Sequence, residues 1–210
     1  MTLLFDLDGT LLDSNGIWQQ IDIDFLARRG LPWTEEYNQG VIHATFPTAA
    51  RFTKEFCRLP ESEEAIMAEW MEMAYQAYAR ELSLKPGAAE FLDRCARQGL
   101  PMAIYTSCER RLCCAALERH GIRPLFRDIF FARELGLEKE SPEGFLRVAA
   151  ELDAAPESIV FFDDSPVSCR GAKTAGMRVV ACRDPLFAAH EAELRAMCDS
   201  YVERLDDLSL

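Results

Sequence analysis

Short runs of apolar residues alternate along the chain with longer segments in which apolar residues recur every three or four positions. The short runs are rich in β-branched and aromatic residues, which favour strands. They are TLLFD (2–6), PMAIYT (101–106), DIFFA (128–132), SIVFFDD (158–164) and MRVVAC (177–182). Continuous apolar runs separated by helices indicate a parallel sheet covered on both faces. The expected fold is therefore a doubly wound α/β core with five strands.

The segments between these runs carry signals for the start and the end of helices. Segment 85–99 has Pro86 near its start and Gly99 at its end, the ends of a helix that proline and glycine respectively favour. Segments 141–153 and 165–176 both begin with Ser-Pro, where serine can cap the helix and proline takes the first helical position. These signals support the alternation of strands and helices.

The first strand is followed by about 70 residues without a strand signal. Their helical patterns cover 17–30, 34–58 and 62–82, with interruptions at Pro47 and Pro60. We therefore predict an α-helical cap (14–83) inserted into a Rossmann-like core made of 1–13 and 84–210. Insertions of this kind commonly act as lids.

The composition and charge of the chain argue against some classes of binding partner. The chain of 210 residues has 35 acidic against 23 basic side chains and a formal net charge of −12. A nucleic-acid-binding face needs clustered basic residues, so we expect no nucleic-acid partner. No apolar run approaches the ~18 residues of a membrane span, and no basic leader segment precedes the first strand. We expect a cytoplasmic protein without membrane contact, and the sequence gives no indication of its oligomeric state.

The eight cysteines do not indicate a metal or redox motif. They include no C-x-x-C pair, which argues against a zinc site or a thioredoxin-like site. Most lie within helical or strand-like patterns, so we expect reduced and largely buried thiols.

Polar residues suited to catalysis follow three of the predicted strands. They are Asp6 and Asp8 after the first strand, Thr106 and Ser107 after the second, and Asp163 and Asp164 after the fourth, with Lys139 before the helix that leads into the fourth. In open α/β sheets, ligands bind beyond the carboxyl ends of the strands. We therefore expect carboxylates, hydroxyls and an ammonium to converge at one edge of the sheet.

The pair Asp6 and Asp8 has two other interpretations. Asp8-Gly9 is a common turn pair. A calcium-binding EF-hand loop that started at Asp6 would need Gly at its sixth position and Glu at its twelfth. The chain has Leu11 and Ile17 at those positions, so the calcium loop is excluded.

FDLDGTLLDS (5–14) resembles the signature motif of the haloacid dehalogenase-like hydrolase superfamily. MAIYTS, EKESPEGF and IVFFDDSP with GAKTAGMRVV resemble the second, third and fourth motifs of that family, in the family's order. The resemblance spans the whole chain and implies a phosphate-transfer enzyme with a Rossmann-like core and a cap.

The resemblance also implies a role for each residue. Asp6 would attack phosphorus and form an aspartyl-phosphate, and Asp8 would protonate the leaving oxygen and then activate water. The ligands of a Mg²⁺ ion would be Asp6, the main-chain carbonyl of Asp8, Asp164, and Asp163 directly or through water. The phosphoryl oxygens would be held by Thr106, Ser107 and Lys139.

Several of these residues also have structural interpretations. Thr106 and Glu109 match a helix capping box, so Thr106 could simply begin a helix. Lys139 could be a solvated surface lysine, and it is followed by Glu140 where the family often has proline. Cys108 lies close enough to the second motif to contact a substrate or to begin a helix.

The expected reaction is hydrolysis of a small phosphorylated metabolite. Dehalogenases and phosphonate hydrolases of the family lack an acid at the position of Asp8, which favours phosphate-ester chemistry. Sugar phosphomutases like β-phosphoglucomutase are the alternative, but they carry His where this chain has Trp18 and a cap Lys that 61–80 lacks. A non-catalytic binding protein that kept the fold is a third possibility. His43, near a break between two cap helices, is the candidate for substrate contact.

Overall fold

In the computed structural model, which describes residues 1–42 and 44–208, the apolar runs lie side by side in a parallel sheet. Its strands are β1 (Thr2–Phe5), β2 (Met102–Thr106), β3 (Asp128–Phe131), β4 (Ile159–Asp163), β5 (Arg178–Cys182) and β6 (Ser200–Val202). Their order is β3-β2-β1-β4-β5-β6, and each neighbouring pair is parallel. The prediction of a doubly wound parallel α/β core is confirmed. Its strand order changes direction between β1 and β4, where such sheets open a crevice for ligands.

The predicted count of five strands was wrong by one. β6 has three residues, lies at the edge of the sheet and pairs with β5. Val202 is its one buried side chain. A short edge strand of this kind has no continuous apolar run, so the hydrophobic pattern carries no signal for it.

The helices lie between these strands. Over the described residues they are α1 (Ile17–Ala27), α2 (Glu35–Val41), α3 (Phe46–Cys57), α4 (Glu63–Arg80), α5 (Ala88–Arg97), α6 (Arg110–Arg119), α7 (Ala132–Leu135), α8 (Pro142–Glu151), α9 (Pro166–Thr174) and α10 (Glu191–Met197). Short 3₁₀ turns occupy Arg123–Leu125, Pro156–Ser158, Pro185–His190 and Leu205–Asp207. As the Ser-Pro pattern predicts, the Ser141 hydroxyl caps α8 by accepting the amide of Glu143. None of the helices over the described residues combines the length and the apolar composition that crossing a bilayer requires.

The chain separates into two compact units. The first contains Met1–Asn15 and the residues from Leu82 onward, with the sheet and α5–α10. The second is Gly16–Glu81 and contains α1–α4. Within the first unit, the two segments that lead to the second pair with each other. The Asp13 amide donates to the Ser83 carbonyl and the Lys85 amide to the Leu11 carbonyl, each over 2.9 Å.

The second unit is built around aromatic side chains. Trp70 contacts Phe25 and Phe46 with ring centroids 5.6 and 5.5 Å apart, and the half-exposed Trp18 contacts Phe46 at 5.6 Å. The predicted helical segment 34–58 forms two helices, α2 and α3. Pro47 has no amide to donate to a preceding turn, so α3 begins at Phe46 as a new helix.

A polar contact also lies inside the second unit. The hydroxyl of the fully buried Tyr37 donates to Oδ1 of Asp22 over 3.1 Å and lies 2.9 Å from Oγ1 of Thr53. Burial raises the pKa of Asp22 to about 6, although the Tyr37 hydroxyl partly opposes the shift. The pKa of this carboxyl group therefore lies above its ordinary value because of its burial.

Phe5 of β1 and Phe162 of β4 belong to a group of four packed aromatic rings in the first unit. Phe5 stacks on Phe162 with centroids 4.6 Å apart, and it meets Phe91 and Phe126 edge-on at 6.1 Å. All four rings are buried. Because Asp6 follows Phe5 and Asp163 follows Phe162, the backbone that carries both acids rests on this group.

Candidate active site

The sheet register places acids from two neighbouring strands at the same level. Phe5 of β1 lies opposite Phe162 of β4, so the residues that follow them, Asp6 and Asp163, are adjacent. The amide of Asp6 donates to the Phe162 carbonyl over 2.9 Å and continues the ladder by one residue. The predicted convergence at the carboxyl edge of the sheet therefore includes these two acids.

Three carboxylates form a buried cluster. One oxygen each from Asp6, Asp163 and Asp164 lies within 4.8 Å of the others, and their exposed fractions are 5%, 1% and 2%. Burial raises the pKa of Asp6 to about 7, and the nearby carboxylates add to this effect against Lys139. Burial, together with Asp163 and Asp6, also raises the pKa of Asp164. The positive charge near the three carboxylates therefore does not balance their negative charge.

Lys139 enters this cluster directly. Its Nζ donates to Oδ1 of Asp6 over 2.5 Å and to Oδ2 of Asp163 over 2.7 Å, and the residue is 7% exposed. Although burial opposes the charge, Asp163 and Asp6 together raise the pKa of Lys139 above its ordinary value. The alternative of a solvated surface lysine is wrong, because this ammonium is buried between two carboxylates.

The segment that carries Lys139 packs against a glycine of α9. A Cβ at Gly171 would lie 2.9 Å from the carbonyl oxygens of both Lys139 and Glu140. Only a residue without a side chain permits such close packing of this segment on the helix. Gly171 therefore helps to set the position of the Lys139 backbone, with Glu140 in place of the family's proline.

Asp8 lies beside the cluster of three carboxylates. It is half-buried, and its Oδ1 accepts the Ser14 hydroxyl over 2.6 Å. Its charge also contributes to the raised pKa of Asp6. The next residue, Gly9, has a φ of +81°, and a Cβ there would overlap Oδ2 of Asp164. The chain thus turns back here in a conformation that glycine favours, in close contact with the cluster.

Hydrogen bonds from the first motif and from Asn15, the residue after it, orient Asp164. The Asn15 amide donates to its Oδ2 over 2.7 Å, and the Thr10 hydroxyl donates to its Oδ1 over 3.3 Å. Asn15 also hydrogen-bonds to Asp184. Burial would raise the pKa of Asp184, but hydrogen bonds from Lys85, Asn15 and the Leu186 amide lower it.

A buried ion pair completes this network. Nζ of Lys85 lies 2.7 Å from Oδ2 of Asp184, whose side chain is 1% exposed. The chain of contacts therefore runs from Asp164 through Asn15 and Asp184 to Lys85, all within the first unit.

The sequence analysis missed Asn15, Asp184 and Lys85. Asp184 could have been predicted from its position. It comes two residues after β5, at the same edge of the sheet as the other predicted acids. Asn15 and Lys85 had no local signal, since their contacts depend on how the segments beside them pair.

The second motif places Thr106 at the end of β2, with its hydroxyl accepting the Cys108 amide over 3.0 Å. The alternative that Thr106 caps a helix is wrong. The cap of α6 is Glu109, whose carboxylate accepts the amides of Arg111 and Leu112. Thr106 is buried, Ser107 is exposed and Cys108 is half-buried. The predicted contact of His43 lies outside the described residues.

The donor set fits a hard divalent cation. Carboxylate oxygens are the ligands that Mg²⁺ and similar ions prefer. In their ionised forms, three carboxylates against one ammonium, Lys139, leave two negative charges. Burial is the main cause of the raised pKa values of Asp6 and Asp164, and the neighbouring carboxylates add to it.

Comparison with known proteins gives consistent results. Residues 3–182 match the sequence profile of the haloacid dehalogenase-like hydrolases. Protein CbbY of Rhodobacter capsulatus is 29% identical over 190 residues, which cover 85% of this chain and 83% of that protein. The phosphorylated carbohydrates phosphatase of Thermotoga maritima is 25% identical over 175 residues, which cover 83% of this chain and 81% of that protein.

A solved structure from Thermotoga maritima, a candidate β-phosphoglucomutase, superposes with a TM-score of 0.86. It is 23% identical, and the match covers 99% of this chain and 96% of that chain. This likeness supports the fold alone.

Proposed function

Because the chain belongs to the haloacid dehalogenase-like hydrolase family, we propose that it hydrolyses the phosphate ester of a small metabolite through an aspartyl-phosphate on Asp6. The observation that carries the proposal is the buried contact of Asp6 with Lys139 beside Asp163 and Asp164. A buried carboxylate cluster of this kind is costly to a fold unless a cation and a ligand use it.

The proposed metal is Mg²⁺, held by Asp6, Asp164, the Asp8 carbonyl and Asp163. When bound, it would offset the charge of the carboxylates and of the phosphoryl group. Asn15 and Thr10 donate to opposite oxygens of Asp164 and thereby fix its carboxylate plane for a ligand.

The proposed covalent step begins at Asp6. One of its oxygens attacks phosphorus while the ester P–O bond breaks, and Asp8 transfers a proton to the leaving alkoxide. Asp8 then takes a proton from the water that attacks the aspartyl-phosphate, which releases phosphate and restores Asp6. The hydroxyl of Ser14 donates to Oδ1 of Asp8 and helps to fix its carboxylate for this proton transfer.

Lys139 would serve both the nucleophile and the phosphoryl group. Its contact with Oδ1 of Asp6 selects Oδ2 as the attacking oxygen, because Oδ1 is occupied. Its remaining ammonium proton, with the Thr106 hydroxyl and Ser107, would bind the phosphoryl oxygens as their charge redistributes.

A sugar phosphomutase is the second candidate. It would use the same aspartyl-phosphate, and the candidate β-phosphoglucomutase structure shares this fold. Trp18 stands where such mutases carry a histidine, and it leaves the first helix of the second unit without that imidazole. The phosphatase is therefore the first choice, with a phosphorylated carbohydrate as the proposed substrate class from the Thermotoga relative.

The test is Mg²⁺-dependent release of phosphate from an aryl phosphate and from a panel of sugar and polyol phosphates. Asp6→Asn keeps the side-chain shape but removes the nucleophile, so we expect turnover to fall by about 10³-fold or more. Asp13→Asn is the matched control, because Asp13 is an exposed acid of the same motif. Full activity of Asp6→Asn, or an inactive wild type across the panel with Mg²⁺, would contradict the proposal.

The mutase has its own assay. Hexose 1-phosphate is incubated with a hexose bisphosphate activator, and 6-phosphate and free phosphate are quantified together. We expect free phosphate to dominate. Faster formation of the 6-phosphate would make the mutase the correct assignment.

A further inference from the structure

Tyr105, the residue before Thr106 in the second motif, lies beside the carboxylate cluster. Ile104 pairs with Phe5 in the sheet, so Tyr105, the next residue of β2, is level with Asp6. Side chains at the same level of neighbouring parallel strands point to the same face of the sheet. Tyr105 therefore shares a face with Asp6, and its side chain is completely buried there.

Three aromatic rings on this face pack edge to face. Phe145 of α8 meets Tyr105 with ring centroids 5.2 Å apart and Phe161 of β4 with centroids 4.9 Å apart. The ring planes are inclined by 89° and 71°, the edge-on arrangement that aromatic pairs favour. All three rings are fully buried, so each ring restricts the movement of the others.

Nζ of Lys139 lies over two of these rings. It is 5.9 Å from the centroid of Tyr105 and 5.4 Å from that of Phe161. Within about 6 Å the face of an aromatic ring attracts a cation, and the attraction is larger where water is excluded. The ammonium therefore has ring faces as partners in addition to the carboxylates of Asp6 and Asp163.

The hydroxyl of Tyr105 is buried but has no hydrogen-bond partner within the described part of the chain. Burying a hydroxyl without a partner costs free energy. The favourable contribution of Tyr105 therefore comes from its ring, which packs against Phe145 and faces the ammonium.

Gly144 lets the Tyr105 ring lie against α8. This glycine is the third residue of the helix that follows Lys139. A Cβ at Gly144 would overlap the Tyr105 hydroxyl oxygen and would lie 3.3 Å from the ring carbon that carries it. A side chain at position 144 would therefore push against the ring, which glycine leaves undisturbed.

We infer that Tyr105 is a positioning residue of the proposed phosphatase, because its ring holds the Lys139 ammonium in place against the carboxylate cluster. Its effect on turnover rests on the proposed function, whereas the placement of Lys139 does not. Tyr105→Leu removes the ring, so the ammonium moves more freely and reagents reach it. Tyr105→Phe keeps the ring and removes only the unpaired hydroxyl, so Lys139 stays in place.

Acetylation of the lysines measures this placement without an assay of turnover. The folded wild type, Tyr105→Leu and Tyr105→Phe are treated with acetic anhydride for increasing times, then unfolded and cleaved after arginine. The lysines fall on separate peptides, 52–58, 81–94, 134–147 and 171–178, which mass spectrometry quantifies. We expect Lys139 to react about 10-fold faster in Tyr105→Leu than in the wild type or in Tyr105→Phe.

Lys85 is the matched control within the same samples. Its side chain is also largely buried in the first unit, in the ion pair with Asp184. Faster acetylation of Lys139 alone supports the proposal. Faster acetylation of Lys139 and Lys85 together shows a general loosening of the unit and overturns it, as does an unchanged rate at Lys139.

Gly144 provides the test on turnover. Gly144→Ala pushes against the Tyr105 hydroxyl, and we expect kcat to fall about 10-fold, since small displacements of a reacting or charged group cost this much or more. In the double variant Gly144→Ala/Tyr105→Phe the added methyl group no longer meets an oxygen, so we expect most of the lost kcat to return. A double variant as slow as Gly144→Ala would overturn the role of Tyr105 in turnover. If the wild type releases no phosphate, the proposed function fails, and the acetylation of Lys139 still decides its placement.

Discussion

The Nζ atom of Lys139 lies 2.5 Å from Oδ1 of Asp6, and both side chains are almost completely buried. This contact joins the third motif to the first across more than 130 residues of chain. Lys139 donates to Oδ1 of Asp6, and within the described part of the chain no contact of this lysine with Oδ2 of Asp6 is present.

Replacing Lys139 tests that contact. We expect Lys139→Met to lower kcat by about 100-fold or more, because the phosphoryl oxygens lose a positive charge that is fixed before they arrive. Lys173→Met is the matched control, since Lys173 pairs with Asp199 in a partly exposed position. The measurement is steady-state kinetics at saturating Mg²⁺, with thermal unfolding of both variants. Equal kcat values for the two variants would exclude a catalytic role for Lys139.

Asn15 should control metal affinity. Asn15→Ala removes the 2.7 Å hydrogen bond to Oδ2 of Asp164, and loss of an outer hydrogen bond to a metal ligand typically weakens binding about 10-fold or more. We expect weaker Mg²⁺ binding, with kcat at saturating Mg²⁺ nearly unchanged.

Activity as a function of Mg²⁺ concentration measures both quantities for Asn15→Ala. Asn38→Ala, at a half-buried position in the second unit, is the control. A lower kcat with unchanged Mg²⁺ dependence would show that Asn15 acts on the chemical step instead.

Gly9 tests the close packing of the first motif. Gly9→Ala forces a side chain into a φ of +81° and also into Oδ2 of Asp164. Gly99→Ala is the matched variant, because Gly99 has a φ of +70° and open space around its Cβ position. We expect about 1 kcal/mol of destabilisation in Gly99→Ala and clearly more in Gly9→Ala, measured by urea unfolding. Equal losses would mean that the carboxylate moves aside without cost.

Asp22 should make stability depend on pH. Its pKa is about 6 in the folded chain against an ordinary 3.8, so the folded chain binds the proton more tightly. Asp22 therefore contributes to the stability of the folded chain at low pH. This contribution falls as the pH rises from about 4 to about 6. In Asp22→Asn the side chain is uncharged at every pH, and its amide oxygen can still accept a hydrogen bond from the Tyr37 hydroxyl.

The measurement compares the wild type with Asp22→Asn by urea unfolding at pH 4.5 and pH 7.5, about the two ends of the titration. We expect Asp22→Asn to be more stable by on the order of 1 kcal/mol at the higher pH and nearly equal at the lower, since water still reaches the partly buried carboxylate. An advantage that grew at low pH would contradict the assignment of the shift to burial.

The sequence predicted those features that depend on neighbouring residues or on the period of the pattern. Runs such as TLLF and IVFF are short, apolar and separated by helical patterns, which favours buried parallel strands, and the acids that follow them are then expected at one edge of the sheet. β6 was not predicted, because a strand of three residues is too short to show a repeating pattern of apolar and polar positions.

Side-chain partners could not be predicted in this way. Thr106 and Glu109 fit a capping box, but the helix starts later, and Glu109 caps it with its own carboxylate. Asn15 contacts Asp164, which is 149 positions away, and no local pattern encodes so distant a contact. The roles of Asp6, Asp8 and the phosphate-binding residues remain predictions for the experiments above.

The stacking of Phe5 on Phe162 has a consequence for engineering. Phe5 and Phe162 directly precede the two central acids and are fully buried, and in a closely packed core a change of even one methylene is costly. The acids cannot be shifted to suit a new ester without disturbing this packing. A redesigned substrate range would therefore have to come from substitutions elsewhere in the chain, with 3–6 and 160–163 kept as they are.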